Sequence, residues 1–307
     1  MKKITFFMLL VLFATANLHA QKMLETSWTT GDMHLYCHSE QGDKLSFSVG
    51  FAHDAGGDLI VKRVSNGVFD VISDDDNSYG IKKLKIVNYT TTKWGTIKCL
   101  YGEDVKGNLK HLFIEDDGDN AKNDFCNLLE GDYKGSDGKT YIFADYTLTI
   151  DGVSDDYEPI LCEMGYVNGF IFKGKKYCFK VSEKGFNLYT TNTDDGEHEF
   201  EPDRLWVKLT ADQESFQGRW PYLQGNVVTE KYCGYYSKEL LRLMRNEIYA
   251  RHGYKFNSAD LTAYFSKMSW YKPVSDNSKI KLSPVEQVNI AIIKNIENES
   301  WHPEVEK

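Results

Sequence analysis

The sequence predicts an α+β multidomain chain, in which antiparallel β meander, sandwich or small-barrel regions precede a small α-helical C-terminal domain. Three observations predict it. From Met33 to about Phe113 apolar residues recur at every second position, the period of half-buried strands, and from near Leu128 short aromatic strands run between well-marked Asp-Gly and Asn-Gly turns. No long helical pattern lies between those runs, which argues against a βαβ arrangement. From Ser237 onward the apolar period lengthens to that of a helix. The composition agrees: 14% of the 307 residues are aromatic and only 6 are proline, which suits packed β-regions better than a disordered tail.

The first 20 residues stand apart. Lys2 and Lys3 precede an unbroken run of apolar and small residues from Ile4 to Ala16, and Ala20 offers a small residue before Gln21. A positive end, a short apolar core and a small-residue site describe a secretory signal peptide over residues 1–20, cleaved near Ala20-Gln21. The core is too short to anchor in a bilayer. The expectation is an exported chain, periplasmic or extracellular, with no integral membrane segment after cleavage.

The first β-region is expected over 21–120. In Lys44–Phe51, Leu45, Phe47, Val49 and Phe51 share one face of a strand. Leu59-Ile60-Val61, Val68–Ile72 and Leu84–Val87 follow, with turns expected at Gly56-Gly57, Asn66-Gly67 and Asp74–Asn77. The acidic run Glu115–Asn120 reads as a linker or long loop. A second β-region, a small barrel or sandwich, is expected over 121–212. Its turns are marked by Ser136-Asp137-Gly138-Lys139, Ile150-Asp151-Gly152 and Val167-Asn168-Gly169-Phe170, since Asp-Gly and Asn-Gly supply the positive φ of two-residue hairpins. Residues 213–236 are irregular and read as a linker. The helical domain is expected over 237–300, with a tail at 301–307. Within it Leu240, Leu241, Met244 and Ile248 line one helix that Gly253 can end, and Asn257 or Ser258 can cap a second. Ser283-Pro284-Val285-Glu286 opens a third through a capping box, with Val285, Val288, Ile292 and Ile296 as its stripe.

The stretch Leu241–Tyr254 contains Tyr249-Ala250-Arg251-His252-Gly253, and further blocks follow in order. They are Phe256, Asp260-Leu261, Tyr264-Phe265, Trp270-Tyr271, Pro273, and a Leu282, Glu286, Asn289, Ile293 pattern. On these residues the region from about Tyr235 to Glu299 resembles the YARHG domain family. The resemblance implies an extracellular bacterial module of cell-envelope proteins and carries no established chemistry with it.

The spacing permits two readings of that region. In one, Glu247 and Arg251, four apart on a helix, form an ion pair, Arg251 and His252 sit where cations favour the helix dipole, and the aromatic residues pack a small core with Arg245 against it. In the other, Arg245, Tyr249, Arg251, His252, Tyr254, Trp270 and Tyr271 line a groove, because aromatic rings beside arginines suit sugar faces and carboxylates. The partner would then be cell-wall glycan or peptide, or an envelope protein.

Other constellations point to less. His34 and His38 share a strand face from which Cys37 points away, so they converge poorly on a metal. The run Asp117–Asp124 fails as a calcium loop, with Ala121 at a ligand position and Lys122 in place of the turn glycine. No metal and no cofactor is expected. The six cysteines, Cys37, Cys99, Cys126, Cys162, Cys178 and Cys233, form no Cys-x-x-Cys and read as bridges or buried thiols. The clusters Asp155-Asp156-Tyr157-Glu158 and Asp194–Glu199 supply carboxylates that turn and loop composition explains. No nucleophile elbow, His-Glu-x-x-His or phosphate loop is present, and no catalytic residue is nominated.

Charge excludes one class. The formal net charge of −9 becomes −11 without Lys2 and Lys3, while Ser237 onward holds 11 basic against 9 acidic residues. The β-rich front is therefore strongly acidic and repels nucleic acid. The expected function is a non-enzymatic binding or scaffolding protein of the bacterial envelope. The alternative is a hydrolase or peptidase-associated protein that uses carboxylates in a β-domain cleft.

Overall fold

A computed structural model describes residues 22–51, 55–74, 79–116, 127–160, 168–193 and 200–306. The signal-peptide expectation lies outside these residues, as do the Asp117–Asp124 run, the Asp194–Glu199 cluster and most of the Asp74–Asn77 turn.

The β-rich front is two closed up-and-down barrels of eight antiparallel strands each. The first comprises β1 (Ser27–Thr29), β2 (Met33–Gln41), β3 (Lys44–Phe51), β4 (Ala55–Ser65), β5 (Val68–Asp74), β6 (Lys83–Thr91), β7 (Gly95–Glu103) and β8 (Leu109–Glu115). It closes where Trp28 pairs with Glu115 and Thr29 with Ile114. The second comprises β9 (Gly131–Gly135), β10 (Thr140–Ala144), β11 (Thr147–Ile150), β12 (Val153–Ile160), β13 (Gly169–Phe172), β14 (Lys175–Val181), β15 (Gly185–Thr190) and β16 (Arg204–Ala211). It closes through Leu209↔Gly135, Thr210↔Lys134 and Ala211↔Tyr133.

Alternation decides which residues enter. Leu45, Phe47 and Val49 fill the first barrel with Trp28, Leu59, Val61 and Phe69, whereas Phe51 reaches the rim and stays 41% exposed beside Tyr79. The second barrel is filled by rings, with Phe143 edge-on to Tyr157 and Phe170, and Phe179 edge-on to Phe186. Apolar side chains thus point inward in both barrels and polar ones mostly outward, the reverse of a membrane-spanning barrel. No helix among the described residues is long and apolar enough to cross a membrane.

Three turn expectations meet different geometry. Gly56 and Gly57 lie inside β4 and make no turn; a Cβ on Gly56 would sit 2.8 Å from the Val49 carbonyl oxygen, so glycine permits close strand approach there. Asn168-Gly169 makes no hairpin either. Gly169 starts β13, and the Asn168 amide exchanges hydrogen bonds with the Phe200 backbone at 3.2 Å each way. The β13–β14 hairpin turns instead at Lys173-Gly174, whose φ angles of 50° and 71° are those of a two-residue turn of the primed kind. Asp155, Asp156 and Glu158 belong to β12 and are exposed, so these carboxylates decorate an outer barrel wall and not a turn. Cys37, Cys99, Cys178 and Cys233 are buried and form no disulfide with one another; Cys126 and Cys162 lie outside the described residues. Burial pushes the Cys37 and Cys178 thiols up to about 11.

Four helices follow the second barrel among the described residues: α1 (Glu230–Gly234), α2 (Lys238–Arg251), α3 (Ala259–Phe265) and α4 (Pro284–Glu297). Ser237 caps α2 by accepting from the Leu240 amide, and Ser283 with Glu286 forms a full capping box on α4. Ser258 sits at the α3 cap position, but its hydroxyl serves Asp260 and Arg242 instead of the backbone.

Residues 213–236, expected to be a linker, hold a 3-10 turn at Pro221–Leu223, the helix α1, and buried Trp220, Tyr222, Leu223, Val227, Val228, Tyr232 and Tyr236. These side chains join the second barrel's core to the helices, and the same cluster takes in Leu109 and Leu112 of β8. Asn295 of α4 donates to the Leu109 carbonyl at 2.9 Å. The β6–β7 hairpin sends Lys93 to Glu130 and Asp145 of the second barrel, both at 2.9 Å. The tail returns to that barrel: the Glu306 amide donates to Val181, and its carboxylate accepts from Asn187 and Tyr189.

Candidate functional site

The Tyr249–Gly253 motif ends α2, and each of its residues has an internal partner. Glu247, one turn before Arg251, is fully buried (0% exposed). Its carboxylate accepts from the Arg219 amide at 2.8 Å, the Trp220 amide at 3.1 Å and the Arg251 guanidinium. Arg251 also donates to the carbonyls of Trp220 at 2.8 Å and Gln217 at 3.1 Å. Burial pushes the Glu247 carboxyl up, against the pull of Arg251 and the two amides, and lowers Arg251 against the pull of Glu247. Such a pair is held by the further hydrogen bonds that both partners make to the 217–220 backbone.

The chain it grips extends this network outward. Arg219 lies over the Trp220 ring at 5.1 Å and donates to the carbonyls of Glu183 and, at 2.8 Å, Ser182, in the β14–β15 turn. Gly218 (φ +149°) leaves the space: a Cβ there would meet the Glu247 carboxylate. Farther along, fully buried Asn289 of α4 does the same for the next stretch. Its amide donates to the Asn226 carbonyl at 2.7 Å and its oxygen accepts from the Val228 amide at 3.0 Å. The polar interior of the module thus hydrogen-bonds the backbone of residues 217–228.

The seven residues nominated for a groove are distributed over three contacts. Arg251 faces 217–220. Arg245 and His252 face α4, where Arg245 makes a two-pronged pair with Glu297 at 2.7 and 3.2 Å and His252 Nε2 bonds Glu286 at 2.7 Å. Tyr249, Tyr254, Trp270 and Tyr271 belong to the aromatic cluster around Phe256 and Phe265. There Tyr249 lies 5.4 Å from Tyr254, Tyr271 donates to the Tyr254 carbonyl at 2.8 Å, and Trp270 Nε1 donates to the Gln213 carbonyl at 2.9 Å. His34 and His38 point outward toward Asp116 and Asp58 while Cys37 is buried. Sequence reasoning missed Arg219, Glu297 and Gln213, because their partners lie 28 to 57 positions away, beyond the reach of any local spacing.

The His252–Glu286 contact carries a pH expectation. Burial raises the Glu286 carboxyl, but hydrogen bonds from His252 and Ser283 outweigh it and leave it below its usual 4.5. A carboxylate depressed in the folded state contributes stability that is complete above about pH 4.5 and lost as pH falls through its lower folded value. Urea midpoints are therefore expected to fall below pH 4.5, and to fall less in Glu286→Gln. An equal drop in that variant would remove Glu286 from the explanation.

The YARHG domain matches residues 219–298 of the chain, beginning at the buried Arg219 and not at the start of the motif helix. No curated protein and no solved structure matches the chain.

Proposed function

We propose that the chain is an exported, non-enzymatic binding or scaffolding protein of the bacterial envelope, in which the YARHG module works first as a clamp. One observation carries this reading: two fully buried polar side chains of the module, Glu247 and Asn289, direct their hydrogen bonds to the 217–228 backbone between the barrels and the helices. The signal-like first 20 residues and the YARHG match support the envelope compartment. The partner is cell-wall glycan or peptide, or an envelope protein, captured by the rigid assembly.

The rival use of Arg245, Tyr249, Arg251, His252, Tyr254, Trp270 and Tyr271 as a groove draws on the partial exposure of all but Tyr271. Pull-down against purified cell wall and envelope extract separates the two. A clamp predicts capture by the wild type, retained capture by Trp270→Ala, and a lower melting temperature for Arg251→Ala. Loss of capture with melting unchanged in both variants favours the groove. Turnover of wall glycan or peptide at enzymatic rates would return the proposal to the hydrolase alternative.

A further inference from the structure

Beyond α4 the chain returns to the outer wall of the second barrel and lies on it. Trp301 is 72% exposed, and none of residues 302–306 is fully buried. The wall beneath is shaped and fixed. Alternation along β15 turns Phe186 and Leu188 inward, which leaves Asn187 and Tyr189 on the outer face. Asn187 is nevertheless only 3% exposed. Its amide donates to the Glu306 carboxylate at 2.6 Å, and the Tyr189 hydroxyl donates to the same oxygen at 2.7 Å. Burial and Glu306 push the Tyr189 hydroxyl up to about 12, so it remains a donor.

Cross-strand register adds charge. Lys180 of β14 and Lys208 of β16 both pair with Asn187 and share its face, so two cations flank the place of the carboxylate. The backbone contributes as well. The Glu306 amide donates to the Val181 carbonyl at 3.0 Å, and its carbonyl accepts from the Glu183 amide at 2.9 Å, the two bonds of a parallel bridge. Arg219 already holds the carbonyls of Ser182 and Glu183, which fixes this acceptor edge. Val305 packs against the apolar cluster shared by the barrel and the helices. The occupant fits less well than its seat. The His302 Nε2 is shielded from water, and among the described residues it has no hydrogen-bond partner. A shielded nitrogen left unmatched is a cost to the docked state.

We infer that this wall is an acceptor site for an extended segment of a partner protein, a branched apolar residue followed by glutamate, and that residues 302–306 fill it in the partner's absence. Recognition divides as in strand addition: main-chain hydrogen bonds supply affinity, and the Asn187–Tyr189 seat selects the carboxylate. A segment without histidine four positions before the glutamate escapes the His302 cost. Exchange of the same stretch between two copies would keep that cost and gain no contact. The tether makes the chain's own segment a competitor at an effective concentration on the order of millimolar, so the partner engages by displacing it. The inference rests on the binding function proposed above and gives it a ligand class and a place.

Fluorescence anisotropy of a labelled Ala-Pro-Glu-Val-Glu-Lys peptide tests it on the full chain. Glu306→Ala, which vacates the carboxylate position, is expected to bind the peptide about tenfold more tightly than the wild type does, with its circular dichroism unchanged. Glu306→Gln, which keeps the shape, is expected to show a smaller gain in the same direction. Glutamine for the second glutamate of the peptide, or Tyr189→Phe added to Glu306→Ala, is expected to weaken binding about tenfold. Equal affinity for the wild type and both Glu306 variants, or indifference to the glutamine peptide, would overturn the assignment. So would a concentration-dependent dimer of the wild type that the peptide dissolves, since the site would then serve exchange between copies. If the peptide does not bind while the chain still captures envelope material, only this site falls. If capture is absent too, the binding function falls with it.

Discussion

Glu247→Ala is expected to lower the stability of the chain by about 3–5 kcal/mol, the cost of leaving the other half of a buried ion pair without its counter-charge. The geometry places the change near the upper end. The substitution strands the Arg251 guanidinium, itself only 10% exposed, and orphans the amides of Arg219 and Trp220. Each buried N–H left without a partner costs about 1–3 kcal/mol where water cannot enter. Glu247→Gln retains one carbonyl acceptor of nearly the same shape and is expected to fall between alanine and wild type. Urea unfolding followed by circular dichroism provides the measurement, with Arg242→Ala at the exposed Arg242–Asp260 pair as the comparison of small effect. A loss below about 1 kcal/mol for Glu247→Ala would mean that the carboxylate does not hold the 217–220 chain, and the clamp would lose its central element.

The consequence reaches beyond the helices because Arg219 continues the network. Its backbone amide is held by Glu247 while its side chain reaches Ser182 and Glu183 in the second barrel. Loosening 217–220 therefore loosens the contact between α2 and that barrel. Asn295 on Leu109 and Lys93 on Glu130 and Asp145 supply parallel ties between the first barrel and the rest.

Periodicity made much of this architecture legible and long-range pairing made the remainder opaque. Leu45, Phe47 and Val49, and later Leu240, Leu241, Met244 and Ile248, announce their buried faces through spacing alone. The Ser283–Glu286 capping box is local, and it appears in the structure as read. Barrel closure is different: it depends on Trp28 meeting Glu115, 87 positions away, and no window of sequence contains both. The linker reading of 213–236 met the same obstacle. Trp220, Val227 and Tyr232 are buried by partners from the second barrel and α4, so their apolarity shows no regular period along the chain. Within the motif, the Glu247–Arg251 pair was visible as an i, i+4 spacing, but the backbone it grips was not. Arg245 and His252 are polar side chains that sequence leaves open to a ligand; only the fold brings Glu297 and Glu286 to them.

Gly253→Ala is the second substitution expected to be severe, for a reason independent of charge. Gly253 ends α2 at φ +75°, with its amide donating to the Ala250 carbonyl and the Tyr254 amide donating to that of Tyr249, the two bonds of a Schellman ending. A left-handed backbone costs an alanine about 1–2 kcal/mol on its own. Here the new Cβ would also lie 2.4 Å from the Lys272 carbonyl oxygen, backbone that cannot rotate away. The Gly253 carbonyl meanwhile accepts from the Val274 amide at 2.8 Å, so moving 272–274 aside breaks a second contact. Gly253→Asn separates the two costs, because asparagine tolerates the left-handed region but carries the same Cβ. If the close approach dominates, both variants melt together and well below wild type; if backbone strain dominates, asparagine recovers most of the loss. A melting temperature within a degree or two of wild type in both would show that the 272–274 chain yields freely, and the glycine would then have to be explained by something that touches it from outside. The clamp makes the opposite demand: Tyr249 in the aromatic cluster, Ala250 buried, Arg251 on Glu247, His252 on Glu286 and Gly253 against Lys272 each fill a place inside the protein.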